Sequence, residues 1–500
     1  MHQKTRFSIP HHLFYTIIVS AILGVGFLLL WSVLRSGVGY GYDGDEVYHA
    51  QFVYLLGHGY KPFTSFYLMY SPVYHAFLLP VFVAMGYSFQ TLSFVRLLMV
   101  ILFVIRLVIS YTIARKIFST RVGLLFVFLL LLNPFAVFSE MQIRPDNLMM
   151  LVYSLGVLLL IYAHQKAKSW LFVASGILVS FAFLINVKIF PSIGILFLVY
   201  GYWSFSRRSF RELLLFLFGF AISFTVFSTY FLAAHSFVQM VTQMIIDPQT
   251  VLGSVAYPTH VGFFYLPDNV YIYGLSGKPL TWVYVWVLPL LAFSGLFHLI
   301  SSTAQNKTND KLSSLRIFLA LSLVAQWLLL FMIQTVFIQY YIPINWLFAL
   351  FAAYGIVSLG NLLKPQRVLA SLFTIGIGLS LLVLIRVSII ANNARSSMQG
   401  LDVIAKFERV WKTIPEGMAV FPYYLFRPIG YPLLDIVGVR TEEIGKRYGD
   451  VSIYLESKRV PFVFRNDYMA GYYSPQTNAY IDAHYVKDPT VEELFVRVGD

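Results

Sequence analysis

The feature that most constrains this chain is a series of apolar stretches, each about 20 residues long, separated by short basic loops. A helical run of that length matches the hydrocarbon thickness of a bilayer. With 58% hydrophobic and 12% charged residues over 500 positions, the chain is not an ordinary soluble globule, where about a quarter of residues are charged. The formal net charge is +13, but the cations lie between apolar runs and form no patch suited to nucleic acid. The first run, residues 12–31, follows Lys4 and Arg6 and lacks a small-residue cleavage site, so it reads as a retained span. The chain has no cysteine, which removes disulfides and thiolate metal sites.

Basic loops set the expected orientation. Fifteen Lys and Arg fall in the N-terminus and in the loops 115–121, 166–168, 207–211, 307–316 and 364–367, against about six in the opposite loops. This predicts eleven spans, near 12–32, 92–114, 122–139, 147–163, 170–187, 189–205, 212–233, 281–300, 316–335, 341–361 and 368–391. Residues 73–86 are apolar but short and contain Pro80; counting them as a span would put a basic or an acidic loop on the wrong side. They read as a re-entrant or interfacial helix within a long outer loop, 34–91. A second outer loop, 234–280, holds Pro248, Pro258, Pro267 and Pro279, which should break any long helix. After residue 391 the character changes: residues 392–500 hold 27 of the 59 charged residues. Strand-like pieces (418–421, 460–464) alternate there with helical ones (401–411, 451–457), as in a small extracytoplasmic α/β domain. The expected architecture is an all-α polytopic membrane unit over 1–391, followed by that domain over 392–500.

Carboxylates are rare in the membrane unit. Of nine Asp and Glu before position 392, seven fall in the expected outer segments: Asp43, Asp45, Glu46, Glu140, Asp146, Asp247 and Asp268. Ionisable groups gathered on one face of a membrane protein point to chemistry or ion handling there; the plainer alternative is solvated loop charge. If a helix starts near Asp45, its dipole favours the ionised carboxylate, which can accept a proton; an ordinary helix cap explains the pattern equally well. Pro145 precedes a span start, placing Asp146 and Asn147 in a first turn. Arg144 at the outer lip is suited to holding a phosphate through its planar fork, or to pairing with a carboxylate or lipid head group. Lys188 and Lys61 are further outer cations, each also readable as a head-group anchor. Tyr340 and Tyr341 begin the tenth span, where tyrosines usually belong to the aromatic belt but can reach a phosphate oxygen. Five outer histidines (His49, His58, His75, His235, His260) include no close His-x-x-x-His pair, which gives a metal site little support.

Taken together, these residues resemble the GT-C class of polytopic glycosyltransferases, among them the protein O-mannosyltransferases and lipid A aminoarabinose transferases. The resemblance rests on Asp45-Glu46-Val47-Tyr48 opening the first outer loop, the interfacial helix within it, Arg144-Pro145-Asp146 beyond the third span, and Tyr340-Tyr341-Ile342-Pro343 before a late one. The soluble outer C-terminal domain completes it. It implies a polyprenyl-phosphate sugar donor and a glycolipid, glycan or protein acceptor. It also implies an extracytoplasmic active site with Asp45 as the essential carboxylate, and Glu46, Lys61, Arg144, Asp146, Lys188, Tyr340 and Tyr341 around the substrate. The sequence departs from the aminoarabinose enzymes at Lys61-Pro62-Phe63, where a fuller Lys-Pro-Pro is expected, and Asp43 adds a second candidate base. A divalent cation on Glu46 or Asp146 is left open. Two other readings use the same residues: a transporter or flippase for an anionic lipid-linked sugar, and an accessory protein that retains an inactive transferase fold. Transporters favour ionisable groups near the bilayer midplane, where only Arg106 lies.

Overall fold

The computed structural model describes residues 20, 24–35, 42, 44–132, 140–254, 280–305, 311–333, 338–396, 401–422, 425–428, 449–471 and 473–498. Asp43, Pro258, Pro267, Pro279, Asp268 and His260 lie outside them.

Each of the eleven expected spans overlaps a helix among the described residues; residues 12–19 and 21–23 of the first and 133–139 of the third lie outside them. Seven helices, counted among the described residues, are long and apolar enough to cross a membrane. They are α4 (Phe89–Ile117), α6 (Pro145–Lys166), α8 (Phe190–Ser206) with the 3-10 turn Val187–Ile189 ahead of it, α9 (Arg211–Ala233), α11 (Lys311–Met332) from Leu312 onward, α12 (Tyr341–Leu363) and α13 (Arg367–Ser396) as far as Ile390. Four expected spans are represented by shorter apolar helices: α1 (Gly24–Arg35), α5 (Thr120–Leu131), α7 (Ser169–Ile185) and part of α10 (Leu280–Gln305). Residues 34–91, the expected first outer loop, contribute α2 (Gly44–Gly57) and α3 (Pro72–Met85); α3 is the short apolar helix with Pro80 inside. Serines start several of these helices by accepting a backbone N–H: Ser71 for α3, Ser88 for α4 and Ser119 for α5.

Between membrane helices there is little hydrophobic driving force, so close backbone approach matters. Gly176 of α7 and Gly219 of α9 lie where any Cβ would meet the other helix's backbone, and Gly295 of α10 faces Gly355 of α12 in the same way. Trp346 of α12 donates to Ser110 Oγ of α4 at 2.8 Å, fixing one of the largest buried side chains against the bundle.

Residues 234–254, the described part of the expected second outer loop, differ from expectation. Pro248 does not end the helix: the chain stays helical from Phe237 to Ser254, with a π-helical turn at Thr242–Ile246 just before the proline. A proline removes one backbone donor, and the wider turn ahead of it accommodates that loss without stopping the helix. The run packs on the first outer loop: Gln243 accepts from Leu68 N (2.9 Å) and donates to Phe63 O (3.0 Å), and Tyr67 donates to Asp247 Oδ2 at 3.0 Å.

The C-terminal residues gather around a second apolar cluster that includes Val410, Phe421, Leu455, Val463, Ile481 and Leu494. It is built from α14 (Leu401–Thr413), α15 (Val451–Lys458), α16 (Pro475–His484) and strands β1 (Val420–Phe421), β2 (Phe462–Phe464), β3 (Tyr485–Lys487) and β4 (Leu494–Arg497). The sheet order is β1-β2-β4-β3, with β1 parallel to β2 and the other pairs antiparallel. Trp411 packs on Phe89 at the start of α4, and Gln51 of α2 donates to Arg427 O at 2.6 Å. This region therefore sits against the helix that carries Asp45.

Candidate active site

The site is organised by Glu46. It lies fully buried in the first turn of α2, where Arg96 of α4 grips both carboxylate oxygens; Nε is 2.8 Å from Oε1, and Nη2 bonds Oε2. Oε1 also accepts the backbone N–H of Ile143 at 3.0 Å. One carboxylate thus ties α2, α4 and the segment leading into α6 together. A buried charge pair of this kind holds geometry well, because every polar atom has a partner.

That arrangement sets Arg144 beside Asp45. Arg144 is extended (φ −134°, ψ 151°) directly before Pro145, which occupies the first turn of α6. Its Nε donates to Gln142 Oε1 at 2.5 Å, and Nη1 bonds Asp45 Oδ2. Asp45 keeps 46% of its side chain exposed, whereas the Arg144 side chain is 8% exposed. The pair therefore has a fixed cation and an accessible carboxylate.

Next along α6, Asp146 is buried, and its Oδ1 accepts from Lys188 Nζ at 2.8 Å and from Asn186 Nδ2 at 3.3 Å. Asn186 closes α7 and also accepts the backbone N–H of Lys188 at 3.2 Å. The ammonium of Lys188 lies 4.6 Å above the Tyr340 ring, a cation–π contact at the start of α12. Burial, with Asp146 and Asp45 adding to it, raises the Tyr340 phenol well above its usual range and keeps it protonated. Tyr341 is buried at the first position of α12.

Of the expected residues, the structure joins Asp45, Glu46, Arg144, Asp146, Lys188 and Tyr340 in one region. Lys61 is not brought into this network; it is exposed, and its carbonyl accepts from Ser65 N at 2.8 Å. Arg106, the cation the sequence places mid-span, is paired with Glu140, and both side chains are buried. Residues that sequence reading passed over include Arg96, Gln142, Asn186 and a histidine pair. His49, one turn after Asp45, lies 3.0 Å (Nδ1) from His75 Nε2 of α3, both rings buried. The i, i+4 relation of Asp45 and His49 was visible, but no spacing links His49 to His75.

Among the described residues no group of three or more His, Cys, Asp or Glu converges on a metal position. Asp45, Glu46 and Asp146 each already face a protein cation.

Residues 71–232 match the family model for dolichyl-phosphate-mannose-protein mannosyltransferase. The fold is similar to ArnT from Cupriavidus metallidurans in the apo state, with a TM-score of 0.57 at 13% identity, covering 97% of this chain and 98% of that one. ArnT was also solved bound to undecaprenyl phosphate (TM-score 0.56, 13% identity, 98% of each chain). The archaeal oligosaccharyltransferase of Archaeoglobus fulgidus in the apo form gives a TM-score of 0.55 at 12% identity, covering 96% of this chain and 74% of that one. The chain has the GT-C fold. No curated protein sequence matches it. Within this GT-C fold, the family-model match takes in Arg144, Asp146 and Lys188 and ends before the second outer loop; Asp45 and Glu46 lie just ahead of it.

Proposed function

We propose that the protein is a glycosyltransferase that moves a sugar from a polyprenyl-phosphate donor to an acceptor hydroxyl on the extracytoplasmic face, with inversion. The observation that carries this reading is the Asp45–Arg144 pair, an accessible carboxylate held by a buried guanidinium, with Lys188 close by on Asp146.

Charge balance gives the mechanism its order. Asp45, Glu46 and Asp146 are offset by Arg144, Arg96 and Lys188, so the resting site has no excess of either sign. A donor phosphate adds negative charge and competes for Arg144 and Lys188. Arg144 suits it because a guanidinium can present two parallel N–H donors to two phosphate oxygens. As the guanidinium turns to phosphate, Asp45 loses its partner and becomes a better base. The acceptor oxygen then attacks the anomeric carbon opposite the phosphate. The new C–O bond forms as the sugar–phosphate bond breaks, its electron pair leaves on the polyprenyl phosphate, and the hydroxyl proton goes to Asp45. Preorganised cations at the leaving group act where charge develops, in a partly dry site where they are worth most. The polyprenyl tail, lying among the helices, supplies remote binding energy that places the sugar.

Support comes from the neighbours' own ligands: ArnT was solved with undecaprenyl phosphate, and the oligosaccharyltransferase with dolichol-phosphate and an inhibitory peptide. In this reading residues 1–391 are the catalytic membrane unit and 392–500 an extracytoplasmic domain docked on α2 and α4. The acceptor is a glycolipid, a glycan or a protein. The test is product analysis after supplying labelled polyprenyl-phosphate sugars and membrane extract to purified protein in detergent. Transfer of label with an inverted anomeric centre supports the enzyme. Movement of intact donor across proteoliposomes with no transfer would replace it with the flippase reading.

A further inference from the structure

A cavity lies at the other end of the bundle from the Asp45 region. Arg96, which anchors the acidic site, and Phe118, which lines this cavity, are both carried by or adjoin α4; at about 1.5 Å per residue, roughly 33 Å of helix separates them. The cavity has a volume of about 310 Å³ and is bounded by the ends of α4, α5, α10, α11 and α12. That is at the small end of the range for ligand pockets, about 300–1,000 Å³.

Among the described residues its lining carries a single cation and no carboxylate. The polar members are Ser119, Ser302, Ser313, Arg316, Tyr354, Ser358 and Asn361. Arg316 is fixed in place: its Nε donates to Ile117 O at 3.0 Å, and its guanidinium lies 5.9 Å from the Phe118 ring centre. This leaves the two terminal nitrogens, with four N–H groups, to meet a ligand. Ser119 accepts Val122 N at 3.3 Å and keeps its own hydroxyl proton for donation. The side chains of Ser313, Ser358 and Asn361 make no hydrogen bond among the described residues, whereas Ser302 uses its proton on Leu299 O at 2.9 Å. The pocket is therefore rich in donors. Arg115 and Lys116 in the last turn of α4 and Arg121 in the first turn of α5 add positive potential around it.

We propose that this cavity is a second ligand site, separate from the Asp45 region, that takes a phosphate-bearing anion. A fixed guanidinium with converging hydroxyls matches phosphate oxygens, and Phe118, Val122 and Val357 give the pocket an apolar wall. The same chemistry fits a lipid head group entering between helices or a free phosphate from solution, and the experiment separates these sources.

The full-length protein, purified and delipidated in a neutral detergent, is titrated with dioleoylphosphatidylglycerol and followed by native mass spectrometry. In parallel it is titrated with inorganic phosphate and followed by calorimetry. Wild type is expected to bind one equivalent that Arg316→Gln weakens about tenfold or more and that Ser313→Ala/Ser358→Ala weakens severalfold. Variant-sensitive binding of the lipid alone assigns a head-group site; the same sensitivity with inorganic phosphate assigns a site for free anions. Should Arg316→Gln fail to fold, the serine double variant carries the test. Equal binding by wild type and that double variant for both probes would overturn the proposal and leave the cavity as solvated basic surface.

Discussion

Arg144 bonds Asp45 across 99 positions of sequence, linking the residue that precedes α6 to the first turn of α2. The two ends of this contact are set independently. Asp45 is placed by its neighbour Glu46, which is locked to Arg96 and Ile143, and Arg144 is placed by Gln142 and by the extended backbone that Pro145 requires. Fixing both ends keeps Asp45 and Arg144 side by side, so an arriving donor phosphate has only to draw the guanidinium across from the carboxylate and need not assemble the site.

The fork of Arg144 should therefore matter as much as its charge. Its Nε and Nη1 serve different partners, and a lysine ammonium cannot reach both from one position. Arg144→Lys is expected to lower kcat/KM for donor by about ten- to a hundredfold, as loss of one charge-assisted hydrogen bond implies. Steady-state kinetics at matched expression check this. Unchanged kinetics would reassign Arg144 to a structural role.

Glu46 and Arg96 should behave differently, as a pair that holds shape. Removing one member leaves an uncompensated buried charge, a loss of about 3–5 kcal/mol. Glu46→Gln or Arg96→Met is expected to lower the thermal midpoint in detergent sharply, and Glu46→Leu/Arg96→Met to recover much of that loss. Midpoints that fall equally in the single and double variants would contradict the pairing.

Much of the fold was legible because membrane spans are read from length and polarity alone, with no need to know what touches what. Residues 73–86 are too short for a span and would put the loop charges on opposite sides, and α3 is a short apolar helix with Pro80 within it. Proline in the second outer loop was misjudged because composition cannot show that a π-turn ahead of Pro248 lets the helix continue. In the site, Asp45, Arg144 and Lys188 stood out as rare charges at span ends. Their pairings did not, since Glu46 meets Arg96 from 50 positions away and His49 meets His75 from 26. Lys61 stood out for the same reason as Lys188, yet it is exposed and outside the network.

The histidine pair makes acid sensitivity a consequence of the fold. Burial holds His75 down to about 3 and lowers His49 well below its usual value, with His75 and the nearby Arg144 and Lys188 adding to the effect. In the unfolded chain both titrate near about 6.5. The folded state thus binds fewer protons than the unfolded state below that pH, so its stability is full above about 6.5 and declines as pH falls toward 3. The slope is at most about 1.4 kcal/mol per pH unit for each group. Thermal midpoints from pH 7 to 4.5 should drop, and His75→Gln should flatten the decline. An identical slope in wild type and variant would mean other groups control it.

Sidedness can be tested directly on a chain with no native thiol. Lys61, Gln249 and Glu456 are exposed on the segments assigned outside, and Ser209 is exposed on a basic loop assigned inside. Single cysteines at the first three are expected to react with an impermeant maleimide in intact cells, and Ser209→Cys only after permeabilisation. Labelling of Ser209→Cys in intact cells, or protection of any of the others there, breaks the orientation.

The most discriminating prediction concerns Asp45 against its neighbour. Asp45→Asn preserves size and the capacity to begin a helix, since Asn and Asp cap about equally well. It also keeps an oxygen for Arg144 while removing the basicity. Folding and donor binding should survive, and turnover should fall by about 10²–10⁴, the usual contribution of a general base. Asp43, which lies outside the described residues, should tolerate the same change with little loss. The two variants need donor binding measured separately from turnover, because Asp45→Asn also weakens the hold on Arg144 and can tighten phosphate binding as kcat falls. Lower kcat with equal or lower KM is therefore the signature of a base released from its partner by the donor. If Asp45→Asn turns over normally while Asp43→Asn does not, the base is the earlier carboxylate. If both remain active, no carboxylate in this cluster accepts the proton, and transport of the lipid-linked sugar becomes the better account of the site.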